Sequence, residues 1–134
     1  GSELGDERDE IRVRRAIEEI RPDVIIHAAA LKHVPLMEHN VCEAILTNVG
    51  GALKTAKAAI ATDVEKLVFV STDKAVNPDN VMGATKRLAE LAMTHQAHGS
   101  NLAVSMVRFM TGFLTLFLAF PCLSARSQRA DLSR

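Results

Sequence analysis

Three side chains with hydroxyl, acid and base chemistry stand in a row at Thr72, Asp73 and Lys74. They directly follow the apolar run Leu67–Val70, which has the composition of a buried strand. Groups at the end of a buried strand lie at the edge of a cleft, where burial and neighbouring charges shift their pKa values. The row therefore predicts general acid–base chemistry. The alternative is a polar turn or a helix cap, which Ser, Thr and Asp also favour.

A second pair of candidate residues lies further along the chain. Met82 and Lys86 are four residues apart, so they share one face of a helix. The chain contains no Tyr, which excludes any mechanism that needs a phenolic acid or base, and a Met at position 82 cannot transfer a proton. The alternative is that Met82 belongs to the core and that Lys86 is a solvated surface residue.

Three small residues, Ala28, Ala29 and Ala30, end a short β-branched run. Side chains of this size allow a flat cofactor to approach the backbone closely, much as Gly does. The alternative is tight packing of a strand on a helix.

Composition excludes several classes of function. Sixteen basic residues balance sixteen acidic ones, so there is no electrostatic case for nucleic-acid binding. The absence of Trp and Tyr argues against base-stacking surfaces and aromatic membrane belts. Cys42 and Cys122 form no paired motif, which fits a reducing, cytoplasmic environment. The longest apolar run, Phe113–Phe120, is far shorter than the ~20 residues needed to span a bilayer.

The histidines do not predict a metal site. A zinc site needs three or four ligands, and the histidine spacing supplies at most a pair on one helix face. We therefore expect no metal. The residues considered are His27, His33, His39, His95 and His98.

The elements that must position these residues alternate between helix and strand. Hydrophobic spacing predicts helices over 10–20, from an Asn40 cap to about residue 61, and from an Asn80 cap to about residue 95. Apolar runs predict strands over 24–26, 67–70 and 102–109. Repeated right-handed crossovers of this kind build a parallel sheet with helices on both faces, which is a Rossmann-like α/β layer. The adjacent Gly50 and Gly51 predict close backbone packing inside the second helix.

Four motifs in register resemble the extended short-chain dehydrogenases of the nucleotide-sugar 4,6-dehydratase type. More narrowly, they resemble the CapD-type polysaccharide-biosynthesis proteins that act on UDP-N-acetylglucosamine, in the membrane-bound branch that carries Met where other members carry Tyr. The likeness covers residues 5 to 109. The motifs are Gly5-Asp6-Glu7-Arg8-Asp9, His27-Ala28-Ala29-Ala30-Leu31-Lys32-His33-Val34-Pro35, Ser71-Thr72-Asp73-Lys74-Ala75-Val76-Asn77-Pro78 and Asn80-Val81-Met82-Gly83-Ala84-Thr85-Lys86-Arg87.

The resemblance implies cofactor and substrate roles for these positions. It implies an NAD or NADP cofactor whose adenine amino group is bound by Asp6, with Ala28 to Ala30 passing the ribose and pyrophosphate. Asn48 would help to order the site, and Lys86 would bind the nicotinamide ribose. For Asp6 the alternative is an ordinary turn residue, and for Asn48 an ordinary polar position.

The resemblance also implies the chemistry of the three-residue row. Thr72 would hold the oxygen on sugar carbon 4, Asp73 would protonate the leaving hydroxyl on carbon 6, and Lys74 would take the proton from carbon 5. With Met82 in place of Tyr, the group that takes the carbon 4 hydroxyl proton is open, and Asp73 is the first candidate. The substrate would be a UDP-sugar. The intact enzyme would be inner-membrane anchored with a cytoplasmic catalytic domain, and a homo-oligomer is compatible with the resemblance.

The sequence departs from this family in two places. The Gly-rich turn that cradles a pyrophosphate at a helix N-terminus is not found, so we expect the first strands and the substrate domain to be missing. After Phe109 the likeness stops and the composition changes. We therefore divide the chain into residues 1–109, the central part of an NAD(P)-binding domain, and residues 110–134, a tail with no regular pattern that a frameshift would explain.

These features leave two alternatives to a working UDP-N-acetylglucosamine 4,6-dehydratase. One is a catalytically inert fragment of such an enzyme, because a loosely held cofactor and sugar lose much of the rate. The other is a related nucleotide-sugar epimerase or reductase, which the order Thr72-Asp73-Lys74 and the Met at position 82 disfavour.

Overall fold

A four-stranded sheet organises the chain. The computed structural model describes residues 5–110 and 113–117, and for Met110 and residues 113–117 it describes the backbone alone. The strands lie in the order β1-β2-β3-β4, and the first three are parallel. The predicted Rossmann-like parallel sheet and its strand order are confirmed. The strands are β1 (Val24–His27), β2 (Lys66–Thr72), β3 (Ala103–Met110) and β4 (Phe113–Phe117).

Helices connect the parallel strands. Asp9 caps the first helix by accepting from the backbone N–H of Arg12, and Asn80 caps the last by accepting from that of Gly83. A short helix that begins at a His-Val-Pro sequence was not expected from the pattern. The helices are α1 (Glu10–Ile20), α2 (Val34–His39), α3 (Val41–Ile45), α4 (Ala52–Ala61), a 3₁₀ turn (Asp73–Ala75) and α5 (Val81–Ala97).

The helix predicted after Asn40 is continuous but not regular. Between α3 and α4 the backbone forms a π turn over Leu46–Gly51, so α3, the π turn and α4 together span residues 41–61. The Asn40 side chain does not cap it and instead donates to the Leu36 carbonyl. The predicted close packing is found at Gly51, where a Cβ would lie 2.9 Å from Glu7 Cγ, and not at Gly50, where a Cβ would meet nothing within 4 Å.

In the described residues the helices cover one face of the sheet. Leu67 and Phe69 of β2 and Met106 of β3 share a single core with side chains of α1, α4 and α5. On the opposite face, Val24 is 49% exposed and Ile26 is 70% exposed. The prediction that β1 is buried on both sides is therefore wrong. Both crossovers step in the same direction, so right-handed connections place their helices on the same side, and α1 packs into the same core.

The chain after β3 contains one element that the pattern did not predict. β4 runs antiparallel to β3, with Phe113 opposite Met110 and Phe117 opposite Met106. The expectation of no regular element there is wrong for these five residues, because the open edge of β3 supplies the hydrogen bonds that make them a strand. The remainder of the predicted tail, residues 118–134, lies outside the described residues, as do residues 1–4.

A buried ion pair joins α5 to β3. Glu90 is 2% exposed and receives two hydrogen bonds from Arg108, at 3.0 and 2.6 Å, and one from Arg87 at 3.1 Å. Burial alone would raise the pKa of Glu90, but the hydrogen bonds from Arg108 and the other neighbours outweigh it and leave the pKa below its ordinary value. The carboxylate is therefore charged in the folded chain and fixes the helix to the strand.

We expect Glu90→Gln to lower the free energy of unfolding at pH 7 by about 3 kcal/mol, because it removes one charge of a buried pair. The pKa of Glu90 is lower in the folded state than in the unfolded state. The stabilisation is therefore present above about pH 4.5 and disappears as the pH falls through the folded pKa. Urea unfolding should show the free energies of unfolding of the wild-type chain and of Glu90→Gln converging as the pH falls from 7 to 3. Glu19→Gln, on the exposed side of α1, is the control. A constant difference at every pH would contradict the assignment.

Candidate functional site

The row of three reactive side chains forms a tight turn at the carboxyl end of β2. Thr72 ends the strand and caps the 3₁₀ turn that starts at Asp73. Its hydroxyl donates to Asp73 Oδ1 at 3.0 Å, and the Lys74 backbone N–H donates to the same oxygen at 3.0 Å. Both bonds fall on Oδ1, so Oδ2 is the carboxylate oxygen left to meet a ligand. The Lys74 side chain extends from the exposed side of the turn.

Gly83 allows this turn to pack against the first turn of α5. A Cβ at position 83 would lie 2.5 Å from the Lys74 carbonyl oxygen and 3.1 Å from its carbonyl carbon. Those neighbours are backbone atoms, which cannot rotate away as a side chain can. The sequence singled out Met82 and Lys86 on this helix but not the glycine between them. Only the contact with Lys74, nine positions earlier, shows why a side chain is excluded there.

Lys86 is buried and its amine points back to the sheet. The residue is 6% exposed, so the alternative of a solvated surface Lys is wrong. Its Nζ donates to the Val70 carbonyl at 3.0 Å and lies 4.6 Å from the centre of the Phe69 ring. Burial lowers the pKa of Lys86 to about 8, against smaller opposing effects of Glu7 and Glu90. The amine thus lies beside the end of β2, two residues before Thr72.

Met82 packs in a small apolar cluster. It is 7% exposed and joins Met37 of α2 and Ala44 of α3. Its backbone carbonyl accepts from the Thr85 hydroxyl at 2.9 Å. Met82 is therefore a core residue. Its side chain has no group that can exchange a proton.

Asn48 fixes the loop that follows β1. Its Oδ1 accepts from the Leu31 N–H at 2.8 Å, and its Nδ2 donates to the Leu31 carbonyl at 3.1 Å and to Thr85 Oγ1 at 3.0 Å. Asn48 is 1% exposed and sits in the π turn. Its amide therefore ties the loop to α5, and the alternative of an ordinary polar position is wrong. The loop leaves two small residues exposed and one partly exposed, and these are Ala28, Ala29 and Ala30.

Asp6 lies at the turn before α1 and is held by Arg8. The carboxylate accepts from the Arg8 backbone N–H at 2.9 Å and from the guanidinium at 2.8 and 3.1 Å. Hydrogen bonding from the Arg8 side chain and then its backbone lowers the pKa of Asp6 to about 2. Arg8 also pairs with Glu43 of α3. Asp6 is exposed, so the carboxylate is charged and open to solvent, and its contacts are with Arg8 rather than with the turn after β2.

A contact beside the end of β1, between the half-buried Glu7 and the buried His27, was not predicted. Glu7 Oε2 lies 3.4 Å from His27 Nε2, and the His27 ring stacks on Phe69 with centroids 5.5 Å apart. The sequence analysis treated His27 only as a possible metal ligand. A signal was present, since a His that ends an apolar strand at the carboxyl edge of a parallel sheet lies where ligands bind.

The described residues contain neither a metal cluster nor a membrane-spanning helix. No three His, Cys, Asp or Glu side chains within them come close enough to hold a metal ion. None of the helices in the same part of the chain is both long and apolar enough to cross a membrane.

The family model described as polysaccharide biosynthesis protein matches residues 2–112. The chain belongs to this family. Two relatives of this family member are similar to it over most of its length. It is 60% identical over 109 residues to an uncharacterized membrane protein, MJ1061, of Methanocaldococcus jannaschii, covering 79% of this chain and 32% of that one. It is 47% identical over 109 residues to an inverting UDP-N-acetylglucosamine 4,6-dehydratase of Campylobacter jejuni, with the same two coverages.

A solved structure shares the fold of this family member. The UDP-glucose 4-epimerase of Brucella ovis, in complex with NAD, aligns with a TM-score of 0.75 at 25% identity. The alignment covers 79% of this chain and 37% of the epimerase. The chain thus spans about a third of the length of the two relatives described above.

We expect Gly83→Ala to displace the turn formed by Thr72, Asp73 and Lys74, because the new Cβ would overlap the Lys74 carbonyl. Gly50→Ala is the matched control, since it also replaces a helical glycine but meets nothing within 4 Å. Amide chemical shifts measured by NMR should move at residues 72–75 in the first variant and stay at wild-type values there in the second. Unchanged shifts in Gly83→Ala would contradict the contact.

Proposed function

We propose that this chain carries the catalytic turn of an NAD(P)-dependent nucleotide-sugar 4,6-dehydratase that acts on UDP-N-acetylglucosamine in polysaccharide biosynthesis. The observation that carries the proposal is the turn at Thr72, Asp73 and Lys74, which packs on the helix of Lys86 at the carboxyl end of β2. Ligands of open α/β sheets bind at that edge. The identity with the Campylobacter jejuni dehydratase supports the same conclusion.

The residues at this edge fit a dinucleotide. The loop at Ala28 to Ala30 offers exposed backbone with minimal side chains. Lys86 has three N–H donors and gives one to Val70, so two can reach ribose hydroxyls. The open carboxylate of Asp6 can accept from an adenine amino group. Bound NAD(P) would supply the chemistry that no side chain here has, namely accepting a hydride from sugar carbon 4 and returning it to carbon 6. The NAD complex of the similar epimerase supports this cofactor class.

The turn supplies the acid and the base of an elimination across sugar carbons 5 and 6. In the proposed assignment Lys74 takes the proton from carbon 5, and Asp73 gives a proton to the hydroxyl that leaves carbon 6 as water. Thr72 holds the oxygen on carbon 4. The Thr72 hydroxyl donates to Asp73 Oδ1, which supports Asp73 as the group that takes the carbon 4 hydroxyl proton. The apolar packing of Met82 is consistent with that assignment.

A nucleotide-sugar 4-epimerase is the second candidate, and the NAD-bound Brucella ovis structure is the observation that favours it. A 4-epimerase exchanges a hydride at carbon 4 and leaves the hydrogen on carbon 5 in place. A 4,6-dehydratase removes that hydrogen. A side chain that takes the proton from carbon 5 is therefore needed by the dehydratase reaction and not by the epimerase reaction. The further alternative, that the 134-residue chain by itself is catalytically inert, stays a prediction, which calorimetry of NAD binding to the chain alone would test.

We expect a chimera that carries residues 5–109 of this chain in the Campylobacter jejuni dehydratase to convert UDP-N-acetylglucosamine into a 4-keto-6-deoxy product. In deuterated water that product should carry deuterium at carbon 5. Lys74→Met should lower the turnover rate by about 100-fold or more, which is the usual contribution of a general base. Mass spectrometry of the product gives both readings.

Lys57→Met, an exposed Lys on α4, is the matched control and should retain the rate of the parent chimera. Recovery of a 4-epimer with hydrogen at carbon 5 would support the epimerase instead. A Lys74→Met chimera that turns over at the parent rate would contradict the role of Lys74.

We also expect the same chimera to bind NAD more weakly as the pH rises from 7 to 9. The pKa of Lys86 is about 8, so its ammonium is present at the lower pH and largely lost at the higher. A hydrogen bond from a charged donor contributes about 1.5–3 kcal/mol, and the charged fraction of Lys86 falls about tenfold over this range, so the affinity should fall roughly five- to tenfold. Lys86→Met should bind weakly at both pH values by calorimetry. A pH dependence that survives in Lys86→Met would show that another group causes it.

A further inference from the structure

A carboxylate and an imidazole meet in the interior beside β1. Glu7 Oε2 and His27 Nε2 are 3.4 Å apart, and their side chains are 15% and 5% exposed. Within the described residues neither of these two buried atoms has a hydrogen-bond partner. Buried polar atoms are rarely left without one, and at 3.4 Å these two atoms lie within reach of each other.

His27 of this pair and Lys86 both contact the ring of Phe69. His27 and Phe69 lie opposite each other in the register of β1 and β2, and their rings are stacked at an interplanar angle of 18°. The Lys86 amine lies against the same Phe69 ring, at 4.6 Å from its centre. A chain of contacts therefore leads from Glu7, at the turn before α1, to Lys86 on α5.

Gly51 makes the room for this arrangement. A Cβ at position 51 would lie 2.9 Å from Glu7 Cγ, 3.0 Å from Cδ and 3.3 Å from Oε2. The neighbouring Gly50 has open space at the same point. The π turn thus places one glycine against the carboxyl side chain and the other away from it.

We propose that Glu7 is a positioning residue for Lys86. Its carboxylate holds the His27 imidazole against Phe69 and supplies the negative charge that keeps the Lys86 ammonium charged at the cofactor edge of the sheet. The inference rests on the proposed function only in giving that ammonium a cofactor to bind. The family motif of the N-terminal turn assigns a role to Asp6, and none to its neighbour Glu7.

The charges around the three groups agree with this arrangement. Burial, and then the Lys86 ammonium, lower the pKa of His27 to about 4, so its imidazole is neutral at pH 7. A neutral imidazole satisfies a carboxylate at Nε2 by carrying its proton there. Burial raises the pKa of Glu7, and the Lys86 ammonium opposes that rise. Asp6 and Arg8 also act on Glu7, with opposite signs, and Glu90 is the second carboxylate that favours a charged Lys86.

The test measures the pKa of Lys86 in the 134-residue chain by NMR, with ¹³C-labelled lysine and assignment from Lys86→Met. Glu7→Gln should lower that pKa by about one unit, because it removes a nearby opposite charge. Glu10→Gln, an exposed carboxylate on α1, is the matched control and should leave it unchanged. The ¹⁵N shifts of His27 should show the tautomer protonated at Nε2 in the wild-type chain.

Gly51→Ala tests the same proposal without removing any charge. Its Cβ meets the Glu7 side chain from Cγ outward, and rotation of that side chain relieves the overlap, so the fold should be retained while the carboxylate leaves His27. We expect the pKa of Lys86 to fall in Gly51→Ala and to keep its wild-type value in Gly50→Ala. This pair decides the question if Glu7→Gln does not fold.

An unchanged Lys86 pKa in both Glu7→Gln and Gly51→Ala would overturn the inference, as would a His27 tautomer protonated at Nδ1. These measurements need neither cofactor nor substrate. A chain that lacks dehydratase activity but shows the expected shifts would retain this inference while the proposed function fails.

Discussion

Parallel pairing with right-handed crossovers is the constraint on which the rest of this structure depends. Because β1, β2 and β3 run in the same direction, the chain leaves β1 at His27 and β2 at Thr72 on one edge of the sheet. The same handedness puts the helices of both crossovers on one face, and α5 begins near that edge because it follows the turn at the end of β2. The turn after β2 packs on the first turn of α5, and the next turn of that helix carries Thr85, which binds the amide of Asn48, and Lys86, whose amine binds β2.

Two charged side chains buried in α5, Lys86 and Glu90, bind different partners. Lys86 and Glu90 are one helical turn apart and of opposite charge, which would favour a pair on an exposed helix. In the interior Glu90 is instead engaged by Arg108 of β3, while the hydrogen bond of Lys86 goes to the neutral carbonyl of Val70. The ammonium is therefore incompletely compensated, and burial lowers its pKa to about 8. A structural ion pair and a titratable amine coexist within one turn because each faces a different neighbour.

The sequence pattern predicted the helices and strands that are marked by apolar periodicity, a capping residue or an unbroken apolar run. α1 follows from apolar periodicity, α5 follows from the cap at Asn80, and β2 follows from an unbroken apolar run. The same run predicts that Thr72 lies at the end of this strand, as it does, while its role in a site stays a prediction. β4 could not be predicted, because the edge of β3 makes it a strand. The contact of Glu7 with His27 could not be predicted from the sequence pattern either, because it joins a turn to a strand twenty positions away.

Gly51 and Gly83 show why helix propensity alone misjudges this site. Alanine is the better helix former by about 1 kcal/mol at both positions, and both lie inside helical segments. The difference lies in what a Cβ would meet. At Gly83 it meets the backbone of Lys74, which cannot yield without moving the turn at residues 72–74. At Gly51 it meets the end of the Glu7 side chain, which can rotate. One glycine therefore sets where the turn lies, while the other sets only where a charge lies relative to Lys86.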